Sequence, residues 1–144
     1  MLTIDAKVFI SARVRTEVQH PASDQFLNRL VQAAVNILCP TLLVPEVAAA
    51  IARPTGNAAL ANAVVSQIEV FPYLSLIEVT QNRAHQAVDL TILYRLRGPD
   101  AVYVAVAQEF GTTLITWDAE MLMRGAQTVP VMTPSDWLAA NPTI

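Results

Sequence analysis

Four acidic residues stand at equivalent points along the sequence, where an apolar run or a proline gives way to a predicted helix. They are Asp5, Glu46, Asp100 and Asp118. Asp5 and Asp118 follow apolar, strand-like runs, while Glu46 and Asp100 each come directly after a proline that suits the first turn of a helix. Ligands of an open parallel sheet bind beyond the carboxyl ends of its strands, so we expect the four carboxylates to converge at that edge.

A cluster of four carboxylates favours a divalent cation. Two like charges about 5 Å apart repel by roughly 3 kcal/mol at an effective dielectric of 20, and a helix N-terminus offsets only about 0.3–1 kcal/mol of this. Hard ions such as Mg²⁺ or Mn²⁺ relieve the repulsion, and Mg²⁺ fills its remaining positions with water and phosphate. Helix capping explains Glu46 or Asp100 equally well when each is taken singly, but it explains four equivalent acids poorly.

The apolar periodicity predicts strands that alternate with helices along the whole chain. The predicted strands are 2–4, 41–44, 74–79, 113–116 and 129–132, and the predicted helices are 8–14, 23–38, 45–52, 57–68, 80–96, 100–110 and a short one from 118. Strands that are apolar on both faces are typical of a parallel sheet covered on each side. We therefore predict one α/β domain over residues 1–144, a three-layer α/β/α fold with a central, mostly parallel sheet of four to five strands.

The composition limits the kind of protein. Hydrophobic residues make up 53% of the 144 residues, which is enough for a core without crosslinks, and Cys39 is the single cysteine. No run reaches the roughly 18 apolar residues of a membrane span, and the N-terminus lacks the basic segment of a signal peptide. We therefore expect a cytoplasmic protein with no membrane partner. A net charge of −3 argues against coating nucleic acid through bulk positive charge, but it allows an enzyme that acts on RNA through a metal ion and a few arginines.

The segments around the acids resemble the PIN-domain family, and its VapC toxins in particular. They read IDA at 4–6, LVPEV at 43–47, PDAVYVAVA at 99–107 and LITWD at 114–118. The late pair is the most specific, because an acid that opens a helix of alternating small residues, then a glycine, then LITWD, is hard to produce by chance. The resemblance covers essentially the whole domain in order and spacing.

This resemblance implies a metal-dependent endoribonuclease, the toxin of a type II toxin–antitoxin pair. It further implies Mg²⁺ or Mn²⁺ as cofactor, RNA as substrate, a cognate antitoxin that blocks the site, and a homodimer. By the same resemblance, Asp5, Glu46, Asp100 and Asp118 are both the catalytic and the metal-binding residues. Thr116 matches the small hydroxyl residue of the family near the last acid. Glu120 is either a supporting acid or a surface charge.

Lys7 departs from the family pattern. The family usually has Ser, Thr or Asn two residues after the first Asp, whereas this chain has its only lysine there. The Lys7 ammonium could contact a phosphate, take the place of the metal ion, or lie exposed in solvent. If it replaces the metal ion, the chain is a catalytically degenerate PIN module that binds RNA or a partner protein without cleavage. This is the alternative to the ribonuclease hypothesis.

Arginines are candidates for contacts with RNA, because the guanidinium group suits forked phosphate contacts. Those near the predicted site are Arg13, Arg15, Arg53, Arg95 and Arg97. Solvated surface charge explains any single one of them equally well. Two other folds that begin with a strand and an acid fit poorly: haloacid-dehalogenase phosphatases need an aspartate at the position of Lys7, and receiver domains need a lysine late in the chain.

The hydrophobic content of 53% predicts apolar helix faces that a second copy of the chain would cover. Light scattering at several concentrations should therefore report a dimer. A mass that stays at the monomer value at every concentration would contradict this expectation.

Overall fold

Five parallel strands alternate with helices in the computed structural model, which describes residues 1–142. The strands are β1 (Leu2–Ile4), β2 (Ile37–Pro40), β3 (Leu74–Ile77), β4 (Thr113–Ile115) and β5 (Val131–Met132). The helices are α1 (Ala6–Arg13), α2 (His20–Gln32), α3 (Leu43–Thr55), α4 (Ala58–Glu69), α5 (Gln81–Tyr94), α6 (Gly98–Phe110), α7 (Ala119–Arg124) and α8 (Pro134–Ala140), with a 3₁₀ turn at Gly125–Gln127. Helices flank the sheet, so the predicted α/β/α fold is confirmed.

The strand order is β3-β2-β1-β4-β5, with every neighbouring pair parallel. The first strand therefore lies at the centre, and the chain adds strands to one side of β1 before it crosses to the other. The Asp5 amide donates to the Ile115 carbonyl at 3.0 Å, which continues the pairing of β1 and β4 past their ends. This crossing point between β1 and β4 is where ligands bind in sheets of this type.

The second strand lies earlier than predicted. The sequence predicted a helix over 23–38 and a strand over 41–44, whereas α2 ends at Gln32 and β2 spans Ile37–Pro40. Ala34 ends the helix in a left-handed conformation with φ 52°, and the amides of Val35 and Ala34 donate to the Leu30 and Val31 carbonyls as in a Schellman motif. Because this position usually holds glycine, the sequence carried no clear stop signal.

The third helix is longer than predicted and the last helix was missed. α3 begins two residues before Pro45, whose lack of an amide proton is harmless in a first turn, and it continues to a left-handed cap at Gly56 with φ 61°. α8 follows the predicted fifth strand, which is reduced to Val131–Met132. Its capping box joins Thr133 and Asp136, a Thr-x-x-Asp signal that was readable before an apolar pair.

Helix α6 packs against the three central strands, β1, β2 and β4. Its small residues, such as Ala101 and Ala107, are fully buried and let the helix lie close to the sheet, while Tyr103 fills the remaining space. Since α6 begins with Gly98, Pro99 and Asp100, this packing also fixes where the Asp100 carboxylate lies. Among residues 1–142, no helix is long and apolar enough to cross a membrane.

The two apolar residues Ile115 and Val70 test this assignment of the core. Ile115 is 0% exposed at the end of β4, whereas Val70 is 78% exposed at the end of α4. Ile115→Ala should lower the free energy of unfolding by about 2–5 kcal/mol, since it removes buried methyl groups and leaves a cavity. Val70→Ala should change it by no more than about 0.5 kcal/mol. Urea unfolding measures both, and equal losses would contradict the assignment.

Candidate active site

All four predicted acids line a single open cavity of about 1040 Å³ at the carboxyl ends of the strands. Asp5 follows β1, Glu46 lies in the first turn of α3, Asp100 in the first turn of α6, and Asp118 caps α7. The lining also includes Lys7, Gln19, Arg53, Arg97 and Trp117. The structure therefore brings together four carboxylates that are separated by up to 113 residues, the difference between positions 5 and 118.

Asp5 is the most deeply buried of these acids, with 7% of its surface exposed. The Thr116 hydroxyl donates to its Oδ2 at 2.9 Å. The pKa of Asp5 is raised from its ordinary 3.8 to about 6, chiefly by burial. The Thr116 hydrogen bond opposes this rise, and the negative charges of Asp100 and Asp118 contribute to it. The carboxylates therefore lie close enough to repel one another through a poorly solvated region.

Thr116 also positions the last acid. Its Oγ1 accepts a hydrogen bond from the Asp118 amide at 2.9 Å, while Asp118 Oδ1 accepts from the Met121 amide at 2.9 Å and caps α7. One buried hydroxyl therefore joins the side chain of Asp5 to the backbone of Asp118. Thr116, which matches the small hydroxyl residue of the PIN-domain family, therefore fixes the position of Asp118 relative to Asp5.

Glu46 faces a tyrosine that the sequence analysis did not single out. Glu46 Oε1 and the Tyr103 hydroxyl are both buried without a hydrogen-bond partner of good geometry. Burial raises the pKa of Glu46; the Tyr103 hydroxyl opposes this rise, and the charges of Asp5 and Asp100 add to it. Burial also raises the pKa of Tyr103, so its hydroxyl stays protonated beside Glu46.

Arg97 bridges the remaining two acids. Its Nε donates to Asp100 Oδ2 at 3.0 Å and its Nη2 donates to Asp118 Oδ2 at 2.6 Å, while Glu120 Oε2 lies 3.9 Å from Nε. Burial raises the pKa of Asp100 overall, although Arg97 opposes this rise. Arg97 was predicted only as a possible contact for RNA. Its position three residues before Asp100, at the start of the same helix, is the signal that could have revealed the pairing.

The Lys7 ammonium forms no ion pair with the four acids, contrary to one of the roles expected for it. Its ammonium donates to Glu17 Oε1 at 3.0 Å, and the lysine side chain is 47% exposed. Lys7 still lines the cavity, but Glu17, in the segment between α1 and α2, neutralises it. The cation that meets the carboxylates is Arg97.

The other candidate arginines lie in three places. Arg53 lines the same cavity as the acids, without an ion pair among residues 1–142. Arg13 and Arg15 line a separate cavity of about 610 Å³ with His20. Arg124 lies 3.8 Å from Glu120 and holds the loop before α6 through the Arg95 carbonyl, at the edge of the site.

The donor set suits a hard divalent cation, but it is not arranged as a finished metal site. All four groups are carboxylates, the pKa values of Asp5, Glu46 and Asp100 are raised by burial, and one Glu46 oxygen has no partner. However, no three His, Cys, Asp or Glu side chains within residues 1–142 have a spacing that could hold a metal ion. The Arg97 guanidinium lies between two of the four acids.

The family profile of the PIN domain matches residues 2–124, and the chain belongs to this family. The matched range contains all four acids, Thr116 and Arg97. No curated protein matches the sequence significantly.

Solved structures of similar fold agree with this membership. VapC20 from Mycobacterium tuberculosis, described as a toxin that cleaves the sarcin–ricin loop, superposes with a TM-score of 0.68 at 16% identity, over 83% of this chain and 91% of that one. A toxin–antitoxin complex from Klebsiella pneumoniae superposes with a TM-score of 0.64 at 21% identity, over 93% of this chain and 98% of that one. FitAcB from Neisseria gonorrhoeae superposes with a TM-score of 0.72 at 15% identity, over 94% of this chain and 99% of that one. At these identities the likeness establishes the fold.

The raised pKa of Asp5 predicts a pH-dependent effect of Asp5→Asn on the metal-free protein. The folded-state pKa of about 6 exceeds the ordinary 3.8, so the stability that this carboxyl contributes is fully present below about pH 3.8 and is lost as the pH rises through 6. The amide of the variant does not ionise and has no such loss. Urea unfolding in EDTA should therefore show similar stabilities at pH 4 and a variant more stable by up to about 3 kcal/mol at pH 8.

The exposed Asp89 on α5 supplies the control, since Asp89→Asn makes the same chemical change away from the cavity. Its stability should follow that of the wild type at every pH. A constant difference between Asp5→Asn and the wild type from pH 4 to pH 8 would show that Asp5 ionises in the folded protein as it does in the unfolded chain.

Proposed function

We propose that the protein is a metal-dependent endoribonuclease that hydrolyses RNA phosphodiester bonds, as the toxin of a type II toxin–antitoxin pair. Membership of the PIN-domain family supports nuclease activity. The observation that carries the proposal is the convergence of Asp5, Glu46, Asp100 and Asp118 in one cavity. The solved neighbours described as a VapC toxin and as a toxin–antitoxin complex support the assignment to this class.

Asp5, Asp100, Asp118 and Glu46 are the residues that would hold Mg²⁺ or Mn²⁺. The fit rests on the oxygen-only donor set and on the unpartnered Glu46 Oε1. When bound, such an ion supplies an activated water and stabilises negative charge on the phosphate.

The residues of the chain itself orient the carboxylates and line the path of the substrate. Thr116 holds Asp5 and Asp118 in fixed relation, and the rigid helix α6 presents Asp100. Arg53 provides positive charge on the cavity wall, where it can meet a phosphate oxygen of RNA. A local positive charge such as that of Arg53 offsets part of the repulsion between RNA and a protein of net charge −3.

The partners of this function are RNA, a cognate antitoxin and a second copy of the chain. The neighbouring toxin–antitoxin complex from Klebsiella pneumoniae supports the antitoxin. The apolar side chains of Val88, Ile92 and Leu93 support the dimer, because all three are exposed along one helix, α5, by 47%, 72% and 70%. Such side chains close together on a surface are typical of an interface.

Asp100→Asn tests the proposal most directly. Cleavage of RNA by the wild type should require Mg²⁺ or Mn²⁺ and stop with EDTA. The variant should lose at least about 100-fold in cleavage rate, since residues that merely support metal ligands already contribute 10- to 100-fold. The matched control, Asp89→Asn, changes an exposed carboxylate on α5 and should cleave at the wild-type rate.

An Asp100→Asn protein that cleaves at the wild-type rate would remove Asp100 from the catalytic residues. A wild-type protein that binds RNA but never cleaves it with either metal would favour the degenerate, non-cleaving module instead.

A further inference from the structure

Arg97 lies between two carboxylates of the site, and only one of them is close to it in the sequence. Asp100 lies three residues later, in the first turn of α6, but Asp118 caps α7 beyond the end of β4. Arg97 contacts both acids with separate guanidinium nitrogens, at 3.0 and 2.6 Å. A forked guanidinium suits two oxygen acceptors at once, as an ammonium group does not. The side chain lines the cavity of the four acids.

The segment that carries Arg97 is held in place from both sides. Arg97 precedes α6 in extended conformation, with φ −64° and ψ 150°, and Arg124 on α7 donates to the Arg95 carbonyl two residues earlier. The backbone is therefore fixed beside the site, while the side chain of Arg97 is 62% exposed and can turn away into solvent. The contacts with the acids are therefore made by an exposed side chain whose backbone is held in place.

The other cations near the cavity do not have this arrangement. Lys7 is neutralised by Glu17, and Arg53 makes no ion pair within residues 1–142. Only Arg97, in the part of the chain that the structure describes, joins two of the four acids. The guanidinium therefore occupies the space between two carboxylates that would hold a metal ion.

Building on the proposed function, we propose that Arg97 is the resident cation of the metal-free site, and that a divalent ion must displace its guanidinium from Asp100 and Asp118 in order to bind. Arg97 is then a positioning residue. It holds the two carboxylates together and lowers the affinity of the site for metal, so that binding occurs with a side-chain movement that clears the cavity.

Titration calorimetry of the EDTA-treated, full-length protein with MnCl₂ tests this inference. Arg97→Gln removes the charge and keeps a side chain of similar reach. Its dissociation constant for Mn²⁺ should be roughly fivefold lower than that of the wild type, the upper range for an exposed ion pair. Its metal-free melting temperature should also be lower, because the two carboxylates lose their counter-ion. Arg97→Lys should lie between the two proteins, since an ammonium cannot span both acids.

Two variants separate direct displacement from a general change of charge. Arg53→Gln removes the same charge from the same cavity, and Lys7→Ser removes the cation that pairs with Glu17. Both should bind Mn²⁺ within about twofold of the wild type. An unchanged affinity in Arg97→Gln, or an equal gain in Arg53→Gln, would overturn the role of Arg97 and leave the proposed function standing. Absence of Mn²⁺ binding by the wild type and every variant would overturn both.

Discussion

Repulsion among four carboxylates is the constraint around which this site is built. Burial of Asp5 strengthens the repulsion, and the charges of Asp100 and Asp118 act on it through a poorly solvated region. The fold offsets part of the repulsion with the Thr116 hydroxyl, with the N-termini of the four helices at which the acids lie, and with the Arg97 guanidinium. What remains is a group of carboxylates whose negative charges still repel one another.

The sheet explains why the acids meet at all. Because β1 lies between β2 and β4, the residues that follow these three strands reach the same edge. Asp100 reaches it by another route, since α6 runs back across the central strands and begins at this edge. The tightly packed, alanine-rich face of α6 therefore serves the site as well as the core, because a shift of the helix would move Asp100 relative to Asp5 and Asp118.

The sequence suggested Lys7 as a cation near the acids, but the residue that pairs with them is Arg97. Lys7 is two residues from Asp5, yet its position in the first turn of α1 sends its ammonium to Glu17. Arg97 is 92 residues from Asp5 along the chain, the difference between positions 97 and 5, and it lies against the cluster. Distance along the chain was a poor guide because the Lys7 ammonium is directed to Glu17, whereas the loop before α6 brings Arg97 onto two of the acids.

The sequence by itself determined the alternation of strands and helices, the parallel sheet, the family and the four acids, since these follow from local periodicity and from short motifs such as LITWD. It placed β2 several residues too late, because Ala34 occupies a left-handed position without the usual glycine. Only the tertiary structure decided the strand order, the position of Tyr103 beside Glu46 and the bridge formed by Arg97. These features depend on which distant segments pack together, and no local pattern of residues encodes that.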